Sequence, residues 1–303
     1  MDQRERYTGS LLGLAVGDAL GTTLEFRAPG TFEPIGGIVG GGPFRLAPGQ
    51  WTDDTSMALC LAESLAECGF DPLDQMRRYV RWWREGYLSA TGTCFDIGNT
   101  TRAALSHFER TGEPIAGPTD ERSAGNGSLM RLAPVALYFH PDSDRVAHFC
   151  GESSRTTHGA LEAVDACRLY GVMIAAALDG RSKDDLLRLA ESVAERLRLS
   201  QAVREVAGGS FRRKAPPEIR GSGYVVDSLE AVLWAFFSTD SFEEGALKAV
   251  NLGDDADTTG AIFGQLAGAF YGQSGIPAAW LEVLAMRPYI EELAERLMRG
   301  PGS

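Results

Sequence analysis

Trp51-Thr52-Asp53-Asp54-Thr55-Ser56-Met57-Ala58-Leu59-Cys60-Leu61-Ala62-Glu63-Ser64-Leu65 decides the fold class. Met57, Leu61, Ser64 and Leu65 recur at the spacing of one helix face, so the stretch reads as a helix over 53–67. Thr and Asp before such a stripe are the residues that begin helices, because they cap free amides and suit the positive end of the dipole. The same period runs through Leu11, Leu12, Ala15, Val16 and Ala19. Similar patterns cover 72–85, 99–110, 128–139, 159–178, 183–198, 225–238, 241–250, 256–271 and 277–285, and a charged last helix spans about 288–299. Period-two strands are nearly absent. The expectation is all-α: one compact orthogonal bundle of about a dozen helices.

The chain has 303 residues, 44% of them hydrophobic, which is enough for a substantial buried core. Three glycine- and proline-rich loops interrupt the helices, at 28–50, 114–127 and 211–223. None has linker composition over enough length to divide the chain, so residues 1–303 are expected to form a single domain. A net charge of −12 argues against nonspecific binding to nucleic acid or anionic membrane. The five cysteines lack metal or redox spacing and suit a reduced, cytoplasmic protein. The charged Met1–Arg6 segment, followed by a helix read as broken by glycines, does not resemble a signal peptide, and no apolar run is long enough to span a bilayer. A monomer is expected, and Gly300-Pro301-Gly302-Ser303 reads as a flexible tail.

A second acidic cluster, Gly253-Asp254-Asp255-Ala256-Asp257-Thr258, also precedes an apolar helix. One such cluster is explained by capping. Two of matching chemistry, each with more acid than a cap requires, point to a cation. Asp255 and Asp257 can converge on one ion because the backbone at a helix entry is not yet regular. All the ligands are oxygen, which suits Mg²⁺, Mn²⁺ or Ca²⁺ better than Zn²⁺.

Gly17-Asp18-Ala19-Leu20-Gly21, Glu25-Phe26, the Trp51–Thr55 cluster, Gly125-Asn126-Gly127-Ser128-Leu129-Met130-Arg131, Thr157-His158 and Asn251–Gly260 follow one another in a distinctive order. This ordered set resembles the ADP-ribosylglycohydrolase family over a core of about 8–285. Phe95-Asp96-Ile97-Gly98-Asn99-Thr100 resembles the branch containing the bacterial dinitrogenase reductase-activating glycohydrolase, an ADP-ribosylarginine hydrolase. The resemblance implies an all-α fold with a binuclear Mg²⁺ or Mn²⁺ site in a central cleft. It also implies cleavage of the N-glycosidic bond between ADP-ribose and arginine side chains of modified proteins.

Carried over by position, the resemblance makes Thr52, Asp53, Asp54, Asp255, Asp257 and Thr258 the metal ligands, and Asp254 a solvated neighbour. Glu25, Asp54 and Asp96 become the catalytic candidates, with the proton relay left open between Asp54 and Glu25. Substrate contacts fall to Asp96, Gly98, Asn99, Thr100, Gly125, Asn126, Gly127, Ser128, Met130, His158 and Tyr224. Read without the family, these residues have plainer roles. Glu25 is a surface acid, Asp96 a helix cap, His158 a cap or core residue, and Tyr224 an aromatic for core packing. Asp96 favours arginine, because a guanidinium fork matches a carboxylate. The alternatives are another ADP-ribose linkage (O-linked serine, O-acetyl-ADP-ribose or a nucleic-acid end), a phosphatase or nucleotide hydrolase, and a non-catalytic crystallin-like relative.

Overall fold

Gly9, Gly13, Gly17 and Gly21 stand four residues apart on the first helix and meet Gly268, Gly264, Gly260 and Ala256 of a later one. In the computed structural model, which describes residues 1–300, this contact forms the centre of the molecule. A Cβ on Gly17 would lie 2.0 Å from the Gly260 carbonyl oxygen, and one on Gly264 would lie 1.8 Å from that of Gly13. The two backbones therefore touch directly, and only glycine permits it. The first helix is continuous, contrary to the expectation of breaks, because packing along the glycine stripe outweighs the weak helix propensity of that residue. The tail residues 301–303 lie outside the described residues.

Fourteen α-helices make up the described chain. They are α1 (Gln3–Gly21), α2 (Asp53–Cys68), α3 (Pro72–Glu85), α4 (Asn99–Thr111), α5 (Ala133–Phe139), α6 (Ser143–Arg155) and α7 (Leu161–Leu178). The second half adds α8 (Lys183–Arg196), α9 (Gln201–Ala207), α10 (Val225–Phe237), α11 (Phe242–Val250), α12 (Ala256–Tyr271), α13 (Ala278–Val283) and α14 (Arg287–Met298). Among the described residues there is no β-strand, only the isolated bridges Gly41–Leu46 and Gly125–Tyr224. The all-α expectation is met.

Every residue of α1 from Tyr7 to Gly21 is buried, as are those of α12 from Ala256 to Ala269. The pairing is antiparallel, so the C-terminal end of α1 meets the N-terminal end of α12. A hydrophobic core reaching from Tyr7 to Leu297 surrounds the pair. Two loops are pinned where they approach this junction. Asn251 accepts the Ile35 amide at 2.8 Å and donates to the Ile35 carbonyl at 3.0 Å, which anchors the 25–52 connection. Lys214 pairs with the buried Glu230 of α10 at 2.9 Å and holds the segment that leads to Gly221–Tyr224. No helix among the described residues is long and apolar enough to cross a membrane.

Candidate active site

Three helix ends converge on one acidic cleft: the C-terminus of α1 and the N-termini of α2 and α12. Asp18, the only charge on the inner stretch of α1, is fully buried and serves as acceptor for the start of α2. Its Oδ1 accepts the Thr52 amide at 2.9 Å and its Oδ2 accepts the Thr55 amide at 3.0 Å and hydroxyl at 2.7 Å. The Thr52 hydroxyl lies 2.9 Å from Asp18 Oδ1 and 3.0 Å from Asp54 Oδ2, so its single hydrogen serves one of the two. Glu25, just past α1, caps the other entry: its Oε2 accepts the Ala256 amide at 2.9 Å. Asn126 donates to Asp255 Oδ2 at 2.8 Å and to the Ser228 hydroxyl at 2.9 Å, which orients Asp255 from the α10 side.

These contacts assemble two carboxylate triads. Asp18, Asp54 and Asp257 bring oxygens within 4.8 Å of one another, and so do Glu25, Asp96 and Asp257. Asp257 belongs to both. Burial is the largest cause that raises the proton affinity of each acid, and neighbouring carboxylates add to it for most of them. Asp18 is pushed to about 6, Asp96 to about 7 and Glu25 to about 8. Asp53, Asp54 and Asp257 are raised well above the ordinary range, and Asp255 is raised as well. Asp54 Oδ1 and Asp257 Oδ2 are buried with no hydrogen-bond donor among the described residues. Orphaned buried carboxylate oxygens cost free energy unless a proton or a cation satisfies them. An all-oxygen donor set of this charge fits a hard divalent ion.

A cleft of about 570 Å³ opens onto this junction. Of the residues singled out in the sequence, its lining includes Glu25, Asp53, Asp96, Gly98, Asn99, Thr100, Gly125, Asn126, Gly127, Met130, His158, Asp255, Asp257 and Thr258. Four others lie off its wall. Thr52 and Asp54 are buried behind it. Ser128 is buried against Ser154, with 2.8 Å between their hydroxyls. Tyr224 caps α10 at the surface, 38% exposed, and donates its hydroxyl to Glu162 at 2.7 Å.

Three non-glycine residues on the wall adopt left-handed backbone: Phe26 (φ 61), Asp96 (φ 60) and Asp254 (φ 62). Phe26 donates its amide to the Asp254 carbonyl, and Asp254 donates to that of Arg27, both at 2.8 Å. Such strain persists where surrounding structure over-determines it, commonly at functional sites. Sequence reading passed over the support that Asp18 gives and the wall positions of Phe26, Ile97, Thr101 and Gly223. For Asp18 a signal existed, since a lone acid inside an apolar helix stripe needs a buried partner.

A model of the ADP-ribosylglycohydrolase family matches residues 1–303. The chain belongs to the ADP-ribosylglycohydrolase family. It is thereby a hydrolase of glycosidic bonds. It is 46% identical over 295 residues to the ADP-ribosylarginine hydrolase Tri1 of Pseudomonas putida, a match covering 97% of this chain and 78% of that one. To the ADP-ribosyl-[dinitrogen reductase] glycohydrolase of Rhodospirillum rubrum it is 37% identical over 288 residues, covering 93% and 91%. A solved ADP-ribosylglycohydrolase-related protein complex superposes with a TM-score of 0.88 at 47% identity, covering 98% of each chain.

Proposed function

We propose that this family member is a divalent-metal-dependent ADP-ribosylarginine hydrolase that releases ADP-ribose from arginine side chains of modified proteins. The observation that carries the linkage is Asp96. Its carboxylate lies on the cleft wall within 4.8 Å of those of Glu25 and Asp257, where a guanidinium can be received by a planar acceptor. The names of the Pseudomonas and Rhodospirillum relatives favour the same reaction.

Thr52, Asp53, Asp54, Asp255, Asp257 and Thr258 would hold the metal, and Asp257 belongs to both carboxylate triads. Bound divalent ions supply Lewis acidity toward ribose hydroxyls and lower the pKa of water. The remaining work belongs to the protein. Backbone amides of Gly125, Gly127 and Ser128 take the diphosphate, a role suited to a glycine-rich turn, while that of Asn126 is held by the Gly223 carbonyl at 3.1 Å. Asp96 holds the guanidinium as the bond from C1″ to nitrogen breaks, water adds at C1″, and the nitrogen leaves with a proton. Glu25, which lines the cleft beside Asp96, is better placed to move that proton than Asp54, which lies behind the wall.

The test is incubation with arginine-linked and serine-linked ADP-ribosylated proteins, in Mg²⁺, Mn²⁺ or EDTA, following free ADP-ribose. Metal-dependent release from arginine alone is expected, and Asp96→Asn should lower it by about 10–100-fold. Equal release from serine would overturn the linkage, and release from neither would overturn the activity.

A further inference from the structure

Arg131 is fully buried, yet no carboxylate pairs with it among the described residues. Its guanidinium donates to the Tyr79 hydroxyl at 3.2 Å, to the Gly127 carbonyl, and to the hydroxyls of Thr156 at 3.4 Å and Thr157 at 2.7 Å. The Thr157 hydroxyl in turn lies 2.8 Å from Nδ1 of His158. His158 is itself fixed from below: its amide donates to the Ser154 carbonyl at 2.7 Å, and its carbonyl accepts the Ser154 hydroxyl at 2.8 Å.

The hydrogens can be counted along this chain. Arginine has donors only, so the Thr157 oxygen accepts from Arg131. The buried Thr157 hydroxyl hydrogen then has a single available acceptor, the imidazole Nδ1. If Nδ1 carried a proton, that hydroxyl hydrogen would be buried with nowhere to go, at the cost of an unmade hydrogen bond. The proton of the ring must therefore sit on Nε2. Burial, and after it the Arg131 cation, oppose a second proton, pushing the imidazolium down to about 3.

Nε2 finds no protein partner among the described residues, and His158 lines the cleft. It faces the glycine turn: a Cβ on Gly125 would lie 3.4 Å from Nε2, and one on Gly127 would lie 2.8 Å from Cε1 and 3.1 Å from Nε2. The imidazole edge thus points across the same backbone that offers amides to an anion.

We propose that Arg131 and Thr157 are positioning residues that lock His158 as the neutral Nε2–H tautomer, aimed at the diphosphate of the bound ADP-ribosyl group. The identity of the ligand rests on the function proposed above; the tautomer does not. Arg131 also supplies a fixed positive charge behind the turn without touching the ligand. Gly127 stays a glycine because any side chain would strike the ring that the relay holds in place.

The experiment is long-range ¹H–¹⁵N spectroscopy of the ¹⁵N-histidine-labelled protein at pH 7, with the His158 signals assigned through His158→Gln. Wild type is expected to show Nε2 protonated and Nδ1 as a bare acceptor. Thr157→Ser should keep that pattern. Thr157→Val, similar in shape but lacking the hydroxyl, should show a mixture of tautomers. It should also raise KM for the ADP-ribosylated substrate about tenfold with kcat within about twofold. An Nδ1–H tautomer in wild type, or an unaltered pure Nε2–H pattern in Thr157→Val, overturns the proposal. Adding ADP-ribose separates the two readings. A shifted Nε2 signal supports both, whereas the expected tautomer with no response to saturating ADP-ribose overturns the diphosphate assignment and leaves the proposed hydrolysis standing.

Discussion

Asp18 and Thr52 meet at two points: Oδ1 of the aspartate accepts the Thr52 amide at 2.9 Å and lies 2.9 Å from its hydroxyl. Through this junction the central helix α1 sets the first turn of α2, where Asp53 and Asp54 reside. Both oxygens of Asp18 are occupied in this way, so it acts on the acidic site mainly by holding Thr52 and Thr55.

Asp18→Ala should therefore cost about 1–3 kcal/mol for each buried donor left unmatched, and weaken divalent ions about 10–100-fold. Asp18→Asn, which keeps one acceptor oxygen, should fall between. Urea denaturation and calorimetric Mn²⁺ titration measure the two effects. Wild-type Mn²⁺ affinity in a folded Asp18→Ala protein would remove Asp18 from the support of the site.

Acidic crowding makes the metal-free protein sensitive to pH. Folding raises Asp18 from 3.8 to about 6, Asp96 from 3.8 to about 7 and Glu25 from 4.5 to about 8. The folded state then binds more protons than the unfolded one between about pH 4 and pH 8, so stability is lost as pH rises through that window. The melting temperature in EDTA should drop from pH 5 to pH 8. Mn²⁺ should restore most of it, with the largest gain at pH 8. A melting temperature that climbs over that range in EDTA would contradict the shared desolvation of these acids.

Gly17→Ala tests the central helix pair. Its Cβ would sit 2.0 Å from the Gly260 carbonyl oxygen, a contact with backbone that no rotamer can relieve. A loss of about 3 kcal/mol or more is expected, together with loss of metal binding, because the same contact sets α1 against the entry of α12. A substitution tolerated within about 1 kcal/mol in denaturant unfolding would show that the helices can separate at little cost.

Much of this architecture is legible where a helix carries its own stripe and stops. The spacing over 72–85 and 256–271 matches α3 and α12 residue for residue. It fails where apolar content is thin or the turn chemistry is tertiary. The α6 segment goes unread because its buried stripe reduces to residues such as Val146, Ala147 and Cys150 among polar neighbours. The helix read over 128–139 starts only at Ala133: the amides of Leu129 and Met130 both turn back to the Asn126 carbonyl, at 2.8 and 3.0 Å. The two acidic clusters advertise themselves in sequence, but the acceptor that ties Thr52 to α1 lies 34 residues away and has no local signature.

Asp254 offers a stability gain. It holds φ 62 at an exposed position, and its two backbone hydrogen bonds, to Phe26 and Arg27, do not need a side chain. Asp254→Gly should stabilise the protein by about 0.5–1 kcal/mol by relieving left-handed strain. Chemical denaturation reads it directly, and destabilisation would mean that the carboxylate has a partner worth more than the strain.

The most direct test of the central claim is to count divalent ions per chain by elemental analysis while following ADP-ribose release from an arginine-modified protein in the same samples. The account predicts two ions in wild type, loss of both ions and turnover in Asp257→Ala, whose carboxylate is common to both triads, and recovery of stripped wild type on adding Mn²⁺. Full turnover by protein stripped of metal would contradict it.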